Sequence, residues 1–127
     1  MIRNRFSRAL FATALLATLT VEAHAAGDAT RGSEVFAQEC SECHSVREGK
    51  NKKGPSLFAV SGRQAASVAD ASYSDALKAS GIRWTPEQLD AYLSAPKKLV
   101  PGGKMKYDGL ADAAARADLL AYLATLH

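Results

Sequence analysis

The 127-residue sequence is short of most of what a small domain uses to build chemistry: it has two cysteines, three histidines, two methionines and one tryptophan, and aromatic residues make up 7% of it. The two cysteines, Cys40 and Cys43, lie three positions apart and leave none for a bridge elsewhere, which excludes the disulfide framework of many small exported domains. A structural zinc site needs four ligands, and beyond Cys40, Cys43 and His44 the only histidines are His24 and His127. An excess of one charge is missing as well. Without Arg3, Arg5, Arg8 and Glu22 in the first 25 residues, 16 basic and 13 acidic residues become 13 and 12, so a formal +3 falls to +1. Nothing in that balance points to nucleic acid. There is no second apolar stretch to suggest a membrane span, and no internal repeat or low-complexity segment.

What is present is a motif. Cys40-Ser41-Glu42-Cys43-His44 is a C-x-x-C-H run, which reads as a covalent c-type haem attachment site. The spacing has a chemical reason: two thiols on one helical turn can each add to a vinyl group on one edge of a haem, and the next residue then brings its imidazole under the iron. Cys40 and Cys43 are the expected thioether anchors of one haem c per chain, and His44 the proximal ligand. A thioredoxin-like pair would use the same thiols, but it belongs near a βαβ pattern, and no strand-like apolar run surrounds this one. A disulfide across so short a loop leaves His44 without a role.

The first residues suggest where this chemistry takes place. Arg3, Arg5 and Arg8 give a basic start, Ala9 to Val21 is an apolar run broken only by threonines, and Ala23-His24-Ala25 places small residues at both cleavage positions. Residues 1–25 are expected to be a secretory signal peptide cleaved after Ala25, which puts the mature domain, residues 26–127, in the periplasm. The rival is a membrane anchor, but the run has 13 residues where a spanning helix needs about 20.

The mature chain is patterned for helices. Ala29 to Cys40 carries Ala29, Gly32, Val35, Phe36 and Cys40 at mixed spacings of three and four behind caps at Asp28 or Thr30. Ser45 to Ser72, with Gly54, Pro55 and Gly62, reads as loop. A short helix is expected over Asp75 to Ala79. Thr85-Pro86-Glu87-Gln88 then gives a cap, a proline at the first helical position and a capping box, for a helix that runs to Ser94 because Pro96 biases Ala95 away from helical geometry. Lys97 to Leu110 reads as a second long loop, and Asp112 caps a last helix carrying Leu119, Leu120, Tyr122, Leu123 and Leu126. Apart from the initiator, the only methionine is Met105, on that second loop. A lone methionine is often core filler; after Pro101-Gly102-Gly103-Lys104 it is better placed to close over a ligand, and it is the candidate for the iron's sixth position.

These pieces in order resemble the class I cytochromes c, the soluble single-haem type that includes mitochondrial cytochrome c and its bacterial relatives. The match takes in Gly32 and Phe36, Cys40 to His44, Gly54-Pro55, Gly62-Arg63, Tyr73, Trp84, Tyr92, Pro96-Lys97-Lys98, Lys104-Met105 and Leu119 to Leu123. The resemblance implies an all-α fold of three to five helices packed around one covalently bound haem. It implies that the Pro55 carbonyl accepts the Nδ1 hydrogen of His44, that Tyr73 and Trp84 donate to a haem propionate whose charge Arg63 offsets, that Tyr92 lies near the Met105 sulfur, and that Gly32 lets the first and last helices cross closely. For Trp84 the alternative is a plain core aromatic, and for Tyr92 simple packing. Residue 39, often lysine in mitochondrial relatives, is glutamate in this chain, and Gly103 stands where they carry threonine.

Function follows in outline. The expected protein is a soluble monomeric carrier, not an enzyme, moving one electron between larger redox proteins through a haem ligated by His44 and Met105. The alternative is a haem enzyme or gas-binding sensor with an open or labile sixth iron position. Lys50, Lys52 and Lys53 follow the haem motif, and Lys97, Lys98, Lys104 and Lys106 share the loop with Met105. In the resembling fold both groups flank the exposed haem edge, where they would steer an acidic partner and weaken association as salt rises; otherwise they are solubilising loop charges.

Overall fold

The computed structural model describes residues 26–127, so the signal peptide and its cleavage site lie outside the described residues. Five helices follow in order: α1 (Ala29–Glu39), α2 (Asp75–Ala79), α3 (Pro86–Ser94), α4 (Pro96–Leu99) and α5 (Ala113–Leu123). Local chemistry sets where four of them begin. Asp28 accepts from the Arg31 N–H, Ser74 from that of Leu77, Thr85 from that of Gln88, and Asp112 from those of Ala114 and Ala115, each satisfying donors that a first turn leaves without partners.

Two expectations need correction. The capping box at α3 is half formed: the Thr85 hydroxyl accepts from Gln88, but the Thr85 N–H turns to the Arg83 carbonyl at 2.7 Å. The stretch from Lys97 is also not loop from its start. Pro96 ends α3 by forcing Ala95 to φ −156°, and the same ring, with its fixed φ and no N–H, occupies the first position of the short α4.

The frame is the crossing of α1 and α5, with α3 packed against α5. Gly32 makes the crossing possible, because a Cβ there would lie 1.9 Å from the Asp118 carbonyl oxygen. Phe36 and Tyr122 meet beside it with ring centroids 5.8 Å apart. Asp118, 8% exposed, ties the helices together: it accepts from the Asp28 N–H at 2.7 Å and from Arg31 Nε at 2.8 Å. Those donors, the arginine foremost, hold its carboxyl below the ordinary carboxylate range. A depressed folded value stabilises fully above the unfolded value of about 3.9, and that contribution fades as pH falls through the folded one. Asp118→Asn is therefore expected to melt several degrees lower at pH 7. Thermal melts on an acid series should show the gap to wild type closing below about pH 4; a gap independent of pH would show that the ion pair does not act this way.

The loop between α1 and α2 is bound by polar braces. Asn51 bridges the Ser56 N–H and the Ala69 carbonyl, and Gly62 N–H, Trp84 N–H and Ala65 N–H donate to Trp84, Arg63 and Ile82 carbonyls to form a short contact between two loop segments. No named strand occurs among the described residues; Gln64 and Arg83 form an isolated bridge. The core is Phe36, Val60, Ala65, Trp84, Leu89, Leu119 and Leu123, and of these Val60, Trp84, Leu89 and Leu123 border an open space.

Candidate haem site

That space comprises two cavities of about 190 and 300 Å³. Cys43, His44, Tyr92, Met105 and Lys106 line both, so the two adjoin as parts of one slot. Cys40, Leu57, Val60, Arg63, Trp84, Leu89, Tyr107 and Leu123 complete the first, and Gly54, Pro55, Tyr73, Leu77 and Lys104 belong to the second. Every residue the sequence nominated for cofactor or iron, from Cys40 to Met105, thus borders the slot.

His44 is held from behind. Its Nδ1 lies 2.7 Å from the Pro55 carbonyl, which can only accept, so Nδ1 carries the proton and Nε2 keeps its lone pair. Burial is the main cause of the ring's lowered pKa, with the Pro55 bond opposing it. Gly54 explains how the chain fits so close: a Cβ there would lie 2.5 Å from His44 Cε1. His44 and Cys43 follow α1 directly in a turn closed by Cys43 N–H and His44 N–H on the Cys40 carbonyl, at 3.1 and 2.9 Å. Cys40 and Cys43 form no disulfide with each other.

The remaining nominees differ in how they are used. Arg63 borders the slot, but its Nη1 and Nη2 donate to the Phe58 and Ser56 carbonyls at 2.6 and 3.0 Å, so its first task is to hold the loop. Tyr73 accepts from the Val68 N–H through its hydroxyl oxygen, leaving its own proton for another acceptor. Tyr92 packs against Trp84 with ring centroids 4.9 Å apart and planes tilted by 39°, and burial raises its phenol. Among the lysines, Lys53, Lys104 and Lys106 border the slot while Lys50, Lys52, Lys97 and Lys98 do not. Several are engaged: Lys97 pairs with Asp108 at 2.6 Å, Lys53 with Glu42 at 3.5 Å, Lys104 donates to Ser72, and Lys52 to the Ser41 carbonyl. Tyr107, which the sequence reading passed over, donates its hydroxyl to Glu39 at 2.8 Å on the slot wall. Its only sequence signal is an aromatic ring in an otherwise polar loop, two positions past Met105.

Haem c, which the motif implies, fits these residues. The donor set supplies two thiols, an imidazole nitrogen left free by its neighbour's bond and a thioether sulfur bordering the same slot; the walls are leucine, valine and aromatic; and Gly54 is a cradle that any side chain would fill.

The cytochrome c family model matches residues 29–127. The chain belongs to the cytochrome c family. It is 46% identical over 100 residues to cytochrome c2 of Rhodopila globiformis, covering 79% of this chain and 94% of that one, and 46% identical over 100 residues to cytochrome c of Gibberella zeae, covering 78% and 94%. Cytochrome c-type cyt cy of Rhodobacter capsulatus is 50% identical over 100 residues, covering 79% of this chain, which spans half the length of that relative. Among solved structures, cytochrome cH from Methylobacterium extorquens superposes with a TM-score of 0.73 at 42% identity, over 78% of this chain and 99% of that one. The all-α class I fold and one covalently bound haem c per chain come with that membership, with Cys40 and Cys43 as its two cysteines. Cytochromes c are electron carriers, and this chain falls in that class.

Proposed function

We propose that the protein is an exported, freely diffusing monomer that carries one electron between larger redox proteins, its haem iron held between His44 Nε2 and the Met105 sulfur. The observation that carries this reading is that His44 and Met105 both border the two adjoining cavities. When bound, the haem supplies the one-electron chemistry, its iron passing between two oxidation states. The chain's residues supply the rest. Pro55 fixes the His44 ring and raises its basicity toward iron. Leu57, Val60, Leu89 and Leu123 exclude water, which disfavours the added charge of the oxidised form and raises the potential. Tyr73 and Trp84 offer an O–H and an indole N–H at the slot for propionates, with Arg63 nearby as a positive charge.

The N-terminal pattern of Arg3, Arg5 and Arg8, the apolar run and Ala23-His24-Ala25 supports export to the periplasm with a mature chain from Ala26. Among the described residues no helix is long and apolar enough to cross a membrane. Lys53, Lys104 and Lys106 at the slot, with Lys50 and Lys52 on the loop of Lys53 and Lys97 and Lys98 on α4, support docking to acidic faces of protein donors and acceptors.

The axial assignment is tested by Met105→Ala. Wild type in the oxidised state is expected to show the weak long-wavelength band of sulfur-ligated iron and, reduced, to take up carbon monoxide poorly. The variant should lose the band, bind carbon monoxide readily and fall in potential. A wild type that lacks the band and binds carbon monoxide as readily as the variant would favour the gas-binding or enzymatic alternative instead.

A further inference from the structure

The loop that carries Met105 is well tied at its ends. Gly103 N–H donates to the Val100 carbonyl at 3.0 Å and Leu110 N–H to the Leu93 carbonyl at 2.8 Å, Arg116 donates to the Leu110 and Ala111 carbonyls, Lys97 pairs with Asp108 and Lys104 reaches Ser72. Between Lys104 and Asp108 the ties thin out. Among the described residues, Met105 to Tyr107 makes one hydrogen bond, from the Tyr107 hydroxyl to Glu39 Oε2 at 2.8 Å. Its two ends are well chosen for control of the site. Glu39 is the last residue of α1 and precedes Cys40, to which the cofactor is tethered; Tyr107 follows Met105 by two residues, and both border the first cavity. The bond spans 68 residues of sequence and ties the Met105 loop to the end of α1 beside the haem motif.

We infer that Tyr107 and Glu39 form a clasp that positions the Met105 loop and sets how often it opens. Neither residue touches the iron in this assignment; both act through Met105, and the inference rests on the proposed ligation by that sulfur. A charge-assisted hydrogen bond is stronger than a neutral one, and the phenol is partly buried while Glu39 is exposed, so its removal is expected to raise loop opening about fivefold.

The test uses the oxidised holoprotein, with imidazole as a probe that enters only when the sulfur has left the iron. Tyr107→Phe keeps the ring's packing and removes only the donor; Glu39→Ala removes the acceptor. Each is expected to accelerate imidazole binding about fivefold, and the double variant no more than the faster single, because two ends of one bond cannot be lost twice. Amide exchange of Lys104 to Asp108 in the same proteins reads opening without reference to iron, and it should rise in both single variants. Wild-type exchange in Tyr107→Phe, or additive effects in the double variant, overturns the clasp whatever the sixth ligand is. A wild type without the sulfur band, but with faster exchange in the variants, overturns the Met105 ligation and leaves the clasp standing.

Discussion

A Cys40→Ala, Cys43→Ala double variant is expected to lose its fold along with its colour. Eight hydrophobic residues are buried in the described chain, and four of them, Val60, Trp84, Leu89 and Leu123, are also walls of the larger slot's first cavity. Half of these buried residues therefore face the space that the cofactor would fill. A dry cavity costs about 24 cal/mol per Å³, so the cavity of about 190 Å³ alone represents about 5 kcal/mol. A domain of this size has roughly 5–15 kcal/mol of stability in total. Letting water in is no remedy, since water against leucine and valine finds too few polar partners. Untethered haem could still bind weakly through His44, so the comparison needs protein freed of it. Far-UV circular dichroism of the apo double variant is expected to show little helix and no cooperative melt at room temperature; a sharp thermal transition with the helix content of the holoprotein would sink the argument.

How much of this was legible beforehand depended on range. Helix starts at Asp28, Thr85 and Asp112 could be read because a cap satisfies donors two or three residues away, within one turn of sequence. The haem motif was legible for the same reason, its two thioether anchors and its histidine lying within five positions. The α4 turn was missed because Pro96 sends two local signals at once, ending one helix and starting another. Arg63 was expected at the cofactor and does border the slot, but a turn that folds back on itself presents the Phe58 and Ser56 carbonyls to it, and a backbone path of that kind leaves no periodic trace. The Glu39 and Tyr107 pair was beyond reach: neither residue has a pattern of its own, and only the completed fold brings positions 68 apart together. The family resemblance carried what periodicity could not, bringing Tyr73 and Trp84 to the cofactor, while Met105 was legible as the lone methionine of a glycine- and proline-rich loop.

Gly32 shows how such packing can reverse a local rule. In an exposed helix, alanine is favoured over glycine by about 1 kcal/mol because glycine has more backbone freedom to lose. Gly32 lies inside α1, so propensity alone says that Gly32→Ala stabilises. The crossing says otherwise. The new Cβ would lie 1.9 Å from the Asp118 carbonyl oxygen and 2.7 Å from Tyr122 Cβ, and neither a backbone oxygen nor a Cβ can swing aside as the end of a flexible side chain can. The helices would have to separate, which stretches the Arg31 and Asp28 bonds to Asp118 and loosens Phe36 against Tyr122. Overpacking of a core costs about 1–3 kcal/mol, and the lost bonds add to it, so a net loss of about 3 kcal/mol is expected after the propensity gain is subtracted. For a domain of this size that is roughly 12 °C or more in melting temperature. Ala37→Gly, exposed on the same helix, should show the ordinary sign and lose about 1 kcal/mol. Urea unfolding of the two holoproteins settles it: a Gly32→Ala midpoint at or above wild type would mean that α1 and α5 can move apart freely, and that the glycine is not what brings them together.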